Sequence, residues 1–390
     1  MKTEYRRTAW SVFGAAVLGV LLTWRPAVSA PAEATTPAKA DSSGQTGVRR
    51  IPAFQVDPYW PKLPEGWLLG GGAGVATDQH DNVWVIHRPA TVTEQFPCCK
   101  PAPPVMEFDA SGKLLQSWGG PGPGYEWPLE KDEHGIFVDY KDNVWIGARG
   151  GAGDTAESQI LKFDNKGKFL LQIGHRGKGK GSNDTENLGQ AADFFVYPKT
   201  NEVFVADGYG NRRVIVFDAD TGAYKRHWGA YGNRPDDGAS KEPVNEGPGS
   251  PQFTVVHKVV ISRDGLLYVA DRTNRRIQVF TVDGKFVREQ FIARDSKARS
   301  GTVSSLAFSA DPQEQFLYVA DQGNNLVWIL ERQTMRVLGS FGQLGRYAGQ
   351  FNSPHGIATD SRGNLYLAED LGGQRVQKFL FKGLRPSPKP

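Results

Sequence analysis

The sequence predicts an all-β fold, a six-bladed β-propeller whose last blade is closed by a strand from the N-terminal side. Three observations predict it. One strand–turn–strand pattern returns six times along the chain. Within each copy apolar and polar residues alternate with period two, the mark of a strand that buries one face. Glycine supplies 46 of 390 residues and methionine only three, with 11% aromatics, which suits short strands on tight turns and not a helical bundle.

The copies can be followed in order. The middle strand of each reads NVWVIHR at 82–88, NVWIGAR at 143–149, EVFVADG at 202–208, LLYVADR at 266–272, FLYVADQ at 316–322 and NLYLAED at 364–370. A polar loop and a further strand follow, and Phe108, Phe163, Phe217, Phe280, Ile329 and Phe379 mark equivalent places in it, 55, 54, 63, 49 and 50 residues apart. No copy is long enough to cover its own faces, so the copies must stack. Four strands in about 50 residues make one propeller blade. After Phe379 only 11 residues remain, too few for an outer strand. Residues near Phe54–Val56, or the stretch leading to Trp67, are expected to supply it and remove the open edge.

Ahead of the repeats, Lys2, Arg6 and Arg7 precede an apolar run from Ala9 to Leu22 and the small residues Val28-Ser29-Ala30. This is the order of an export signal, expected over residues 1–30. Pro31 is a poor residue to follow a cleavage site, so an uncleaved N-terminal anchor stays open, and only in that case is a membrane involved. Residues 31–50, rich in Ala, Pro, Thr and Ser, read as a flexible linker. The propeller then occupies 51–390, in the periplasm or outside the cell. A net charge of +4 over 88 charged side chains, with no basic block interleaved with aromatics, gives no reason to expect nucleic acid. The two cysteines, Cys98 and Cys99, are adjacent; they form either a vicinal disulfide or a pair of free thiols that contact the channel mouth or a metal.

Three histidines share one repeat position: His134 in EHGIFVD, His257 in VHKVVIS and His355 in PHGIATD. They fall in repeats two, four and six, while the intervening repeats carry Ala73-Gly74, Ala192-Asp193 and Ser304-Ser305 there. Alternate blades of a six-bladed ring stand about 120° apart around the axis. Three imidazoles so placed make a metal site with an open fourth position, and Zn²⁺ fits such ligands best. A strand-capping role for each histidine is the plain alternative. His80, His175 and His227 are expected to be structural or solvated. Arg88, Arg149 and Arg272 share another position, just past the middle strand, with Tyr209 one residue further on in repeat three. Arginines around a metal well suit a carboxylate. Asp207, Asp271 and Asp321 read as turn residues, and Arg213, Arg276 and Arg375 as partners between blades.

At these residues the chain resembles the peptidyl-α-hydroxyglycine α-amidating lyase family of NHL-repeat six-bladed propellers. The likeness is sharpest in DGYGNRRVIVF at 207–217, VHKVVISRDGLLYVADRTNRRIQVF at 256–280 and PHGIATD at 354–360. It implies zinc on His134, His257 and His355, Tyr209 as general base, and Arg88 and Arg272 as binders of the substrate carboxylate; it assigns Arg149 no role. A phenol with an ordinary pKa of ~10 needs cations beside it to serve as a base at neutral pH. The implied reaction breaks the N–C bond of a carbinolamide to give an amide and glyoxylate. The sequence departs from the family in places. Gly210 and Tyr268 stand where relatives carry cysteines, and Gly356 replaces the carboxylate that helps hold a structural calcium, which argues against Ca²⁺ here.

The expected protein is thus an exported metal-dependent lyase, a monomer, acting on a small molecule or peptide that bears a carboxylate. The alternative is a non-catalytic exported propeller that binds a peptide, glycan or protein. A calcium hydrolase of the lactonase kind ranks last, because the inner strands offer histidines where it needs carboxylates.

Overall fold

The computed structural model describes residues 50–93 and 97–386. The expected export signal, and the expected linker except Arg50, lie outside them. Six antiparallel four-stranded sheets follow one another in chain order. Blade 1 comprises Gly71–Thr77, Val83–Arg88, Val105–Phe108 and Leu114–Trp118. Blade 2 comprises Glu133–Val138, Val144–Ala148, Gln159–Phe163 and Phe169–Gly174. Blade 3 runs from Asp193–Tyr197 to Tyr224–Trp228, blade 4 from Val256–Ile261 to Phe286–Phe291, and blade 5 from Ser305–Phe308 to Val337–Phe341. The first strands of the blades are neighbours in one closed cycle, with blade 6 meeting blade 1.

Blade 6 takes Pro354–Thr359, Leu365–Glu369 and Arg375–Pro386 from the C-terminal side and Arg50–Asp57 from the other end of the chain. Phe54 pairs with Phe381 and Val56 with Phe379. The first of the two expected closing segments is therefore the right one, and the strand starts at Arg50, inside the expected linker. The stretch leading to Trp67 instead forms Trp67–Leu68, a short parallel pair with Lys100–Pro101.

Local chemistry explains the repeated hairpin. In blades 1, 2 and 6 an aspartate (Asp78, Asp139, Asp360) accepts the backbone N–H of an asparagine four residues on, at 2.9 Å in each. Its other oxygen accepts from an aromatic two residues beyond, Trp84, Trp145 or Tyr366. The turn and the middle strand are thereby tied by one side chain, the Asx-type logic that makes aspartate a turn residue. The core lies between blades: six clusters of buried apolar side chains fill six seams, among them Val83, Val85 and Phe108 of blade 1 against Tyr366, Ala368 and Val376 of blade 6.

Two expectations need correcting. Asp207 and Asp271 are not simple turn residues; each is fully buried and ion-paired, with Arg213 and Arg276 respectively, at 2.8 Å. Asp321, opposite Leu326 and not an arginine, stays local and accepts from Asn324 and Trp328. Arg213, Arg276 and Arg375 find their carboxylates within their own blade, the third in Glu369. Each also donates from Nη2 to a carbonyl of the preceding interblade connection, Asn187, Gln252 and Gln350 respectively. A buried guanidinium has five N–H groups to satisfy, and one carboxylate cannot take them all.

Candidate metal and substrate site

The first strands of blades 1, 2, 4 and 6 each slip register by one residue, at Ala73, His134–Gly135, His257 and His355. A bulge leaves its extra residue out of the ladder and re-aims the side chain. His134, His257 and His355 are all buried, and each offers a ligand atom within 4.8 Å of the others. Their ring centres are 4.7–5.0 Å apart.

The intervening blades orient them. Nδ1 of His134 lies 2.7 Å from the Ala192 carbonyl, that of His257 2.5 Å from Ser304, and that of His355 2.7 Å from Ala73. Each carbonyl comes from the next blade round the ring, at the position where that blade carries no histidine. Since a carbonyl only accepts, Nδ1 must hold the proton and Nε2 the lone pair. Burial drives the His134 and His257 imidazoles well below their ordinary range, and that of His355 down to about 4, so all three are neutral near pH 7. Neighbouring positive groups act in the same direction, Arg88 and Arg149 on His134 and Arg272 on His257.

Tyr209 hangs over this floor. Its hydroxyl is 2.9 Å from Nε2 of both His134 and His257. One phenolic proton cannot serve two lone pairs, still less three. A set of inward lone pairs with too few protons is a donor set that suits a cation, and three neutral imidazoles fit Zn²⁺. Among the described residues no other group of three His, Cys, Asp or Glu is so arranged.

Above the histidines lies a second ring, one residue from each blade, immediately after or at the end of its second strand. Reading round from blade 1 it is Arg88, Arg149, Gly208, Arg272, Gln322 and Asp370. Arg88 is buried, paired with Asp370, and donates from Nε to the Glu133 carbonyl at 2.8 Å; its Nη2 has no acceptor. Arg272 donates from Nη1 to the Tyr209 hydroxyl at 3.1 Å and to Gln322 at 3.4 Å. Its guanidinium and that of Arg149 lie 5.1 and 5.2 Å from the centre of the Tyr209 ring. All six expected site residues are thus brought into one constellation. Sequence reasoning missed Asp370 and Gln322, although both occupy the arginine position of their own repeats. It also missed Glu133, whose carboxyl burial pushes up to about 7.

The remaining expectations fall outside this constellation. His80 and His175 are exposed, and His227 bonds Tyr224. His87 is buried in blade 1, accepting from the Gly70 N–H at 3.0 Å and donating to the Pro103 carbonyl at 3.0 Å. Cys98 and Cys99 form a disulfide. At Gly210 a side chain would meet the Gly189 carbonyl at 2.8 Å, and Tyr268 is buried against Phe308.

The NHL repeat model matches residues 253–280 and 351–379. Over 344 residues the chain is 29% identical to rat (Rattus norvegicus) peptidylglycine α-amidating monooxygenase, covering 83% of this chain and 31% of that one. It is 26% identical over 347 residues to peptidyl-α-hydroxyglycine α-amidating lyase 1 of Drosophila melanogaster, covering 81% and 58%. It is also 26% identical to mouse (Mus musculus) NHL repeat-containing protein 3, covering 84% of each. The chain therefore spans about a third of the length of the monooxygenases it matches. A solved streptogramin B lyase covers 84% of this chain and 98% of its own with TM-score 0.51 at 14% identity, a likeness of fold.

Proposed function

Since this chain is a six-bladed NHL-repeat propeller homologous to peptidyl-α-hydroxyglycine α-amidating lyases, we propose that it is an exported, zinc-dependent lyase that splits an α-hydroxyglycine-type carbinolamide into an amide and glyoxylate. The observation that carries this reading is the Tyr209 hydroxyl, 2.9 Å from two of three converging imidazoles and 3.1 Å from the Arg272 guanidinium. His134, His257 and His355 would hold the metal through Nε2. Bound zinc would supply Lewis acidity toward the substrate hydroxyl.

The chain's own groups do the rest. The free Nη2 of Arg88 and the guanidinium of Arg272 take the substrate carboxylate and set the carbinol carbon beside Tyr209. The Tyr209 oxygen, acting as the phenolate with the Arg272 Nη1 donor at 3.1 Å and two guanidinium groups about 5 Å from its ring centre to offset its charge, accepts the hydroxyl proton. As the C–O bond gains double-bond character the C–N pair leaves with nitrogen, and the same proton returns to it. Atoms balance, with one carbinolamide giving one amide and one glyoxylate. Carboxylate recognition at the channel mouth, action as a monomer, and residence in the periplasm or outside the cell belong to the same proposal.

The test is metal analysis of the purified protein beside a His134→Ala/His257→Ala/His355→Ala variant, with circular dichroism to check folding and glyoxylate release from N-acyl-α-hydroxyglycines as the activity. About one zinc per chain, lost in the variant together with glyoxylate release, is expected. A folded wild-type protein that takes no zinc would leave a binding propeller, the reading closer to the NHL repeat-containing protein 3 match.

A further inference from the structure

We infer that Arg149 is a second anion-binding arginine, and that the substrate is an N-acyl-α-hydroxyglycine whose acyl part carries a carboxylate of its own. This rests on the lyase reading for the glycine end of the molecule and extends it to the other end. The argument comes from the upper ring. Arg88 leans on Asp370, its neighbour in blade 6, and Arg272 leans on Gln322, its neighbour in blade 5. Arg149 of blade 2 has Gly208 of blade 3 beside it in the ring, and no side chain can stand there: a Cβ on Gly208 would lie 2.1 Å from the Val256 nitrogen.

Arg149 consequently has no hydrogen-bonding neighbour for its guanidinium. Its Nε is sealed from solvent without an acceptor, and its guanidinium rests against the face of the Tyr209 ring. Asp132, whose carboxylate feels the Arg149 charge, accepts the Arg149 backbone N–H through its carbonyl and makes no ion pair with the guanidinium. Of the three ring arginines only Arg88 is neutralised by a carboxylate. With the glycine-end carboxylate of the substrate on Arg88 and Arg272, Arg149 is the ring arginine left without a carboxylate partner. Arg149, on a different blade from Arg88 and Arg272, is placed to receive a second one. A planar fork with free donors in a partly enclosed well is what binds a carboxylate strongly.

The probes are N-succinylglycine and N-butyrylglycine, which have the same acyl length and differ in the terminal carboxylate. Calorimetric binding to the zinc-loaded full chain at 150 mM salt is expected to favour N-succinylglycine by about tenfold or more, the worth of one charge-assisted hydrogen-bonded contact. Arg149→Gln should abolish that preference, and Arg149→Lys should restore part of it. Equal binding of the two probes by the wild-type protein, or a preference that survives Arg149→Gln, overturns the inference. Glyoxylate release from the corresponding α-hydroxy compounds separates it from the lyase reading. Release at equal kcat/KM without a binding preference retires Arg149 and keeps the lyase. A binding preference without release keeps the anion site and retires the lyase.

Discussion

His355 and Ala73 are 282 residues apart in the chain and meet at 2.7 Å, imidazole Nδ1 to backbone carbonyl, across the seam where blade 6 closes on blade 1. The same contact recurs from His134 to Ala192 and from His257 to Ser304. Each histidine is thus held by the next blade in the tautomer that leaves its Nε2 lone pair free, and the His355–Ala73 contact exists only when the ring is shut. Alternation of His with Ala or Ser around the ring has a physical reason: a small residue leaves its carbonyl open to the neighbour's imidazole.

Removal of one floor histidine should therefore cost the metal and little else. His355→Ala is expected to lower bound zinc from about one per chain to near zero in equilibrium dialysis. Zinc at a hundredfold over its Kd should stabilise the wild-type protein by about 2.7 kcal/mol and the variant hardly at all. An equal zinc-dependent shift in both proteins would count against the three-histidine site.

Asp370 is buried against Arg88, and that pair sets where the guanidinium stands. Asp370→Asn leaves a buried charge with its main partner gone, a change that typically costs about 3–5 kcal/mol. The double variant Asp370→Asn/Arg88→Met should recover much of that loss in urea unfolding, because no charge is left stranded. If Asp370 positions Arg88 for a carboxylate, Asp370→Asn should also raise KM more than it lowers kcat. Additive losses in the double variant would mean that the pair is not coupled.

Acid should weaken the fold through His87, which burial pushes down to about 4. The sign follows from the unfolded chain, where histidine titrates near ~6.5. Above that pH neither state holds the extra proton. As pH falls from about 6.5 toward 4 the unfolded state binds it first, so stability declines across that window and levels off below it. The shift corresponds to about 3 kcal/mol. Urea unfolding at intervals between pH 7 and 4 should show a shallower decline in His87→Gln than in the wild-type protein. Parallel declines would place the acid sensitivity elsewhere.

The fold and the floor of the site were readable because both are written as repeats. Six copies of one strand pattern define six blades, and His at alternate copies defines a three-fold set on the axis. The upper ring was only half legible. Its arginines stood out as chemistry, whereas Asp370 and Gln322 looked like ordinary variation at a loop position, and only the closed ring shows that they flank Arg88 and Arg272. The ion pairs of Asp207 and Asp271 were misread for a related reason. Their arginines lie five or six residues on, and a hairpin, invisible in the linear spacing, folds them back. The closing strand left two candidates because both stretches ahead of the repeats are aromatic. Phe54 and Val56 alternate as an outer strand requires, and a register shift between Pro52 and Phe54 brings Ile51 into the same cluster, while Trp67 sits among glycines.

That closing strand gives a sharp test of how the ring is held. Ile51 is 1% exposed, and Phe54 packs its ring 5.5 Å from Tyr318 and 5.4 Å from Phe341 of blade 5. The strand therefore seals the seam between blades 5 and 6 as well as completing the sheet. Ile51→Ala removes a buried side chain where the neighbours are fixed in β-sheet and cannot collapse into the space, at a cost of about 3 kcal/mol. Tyr59, just past the strand and 82% exposed, should lose less than about 0.5 kcal/mol on change to Ala. Because the strand comes from the far end of the chain, the Ile51→Ala loss should appear as a lower midpoint for the whole propeller, read by tryptophan fluorescence and by circular dichroism alike. Matching losses at Ile51 and Tyr59, or a fluorescence transition that leaves the circular dichroism midpoint unmoved, would show that the strand merely lies on a ring already closed without it.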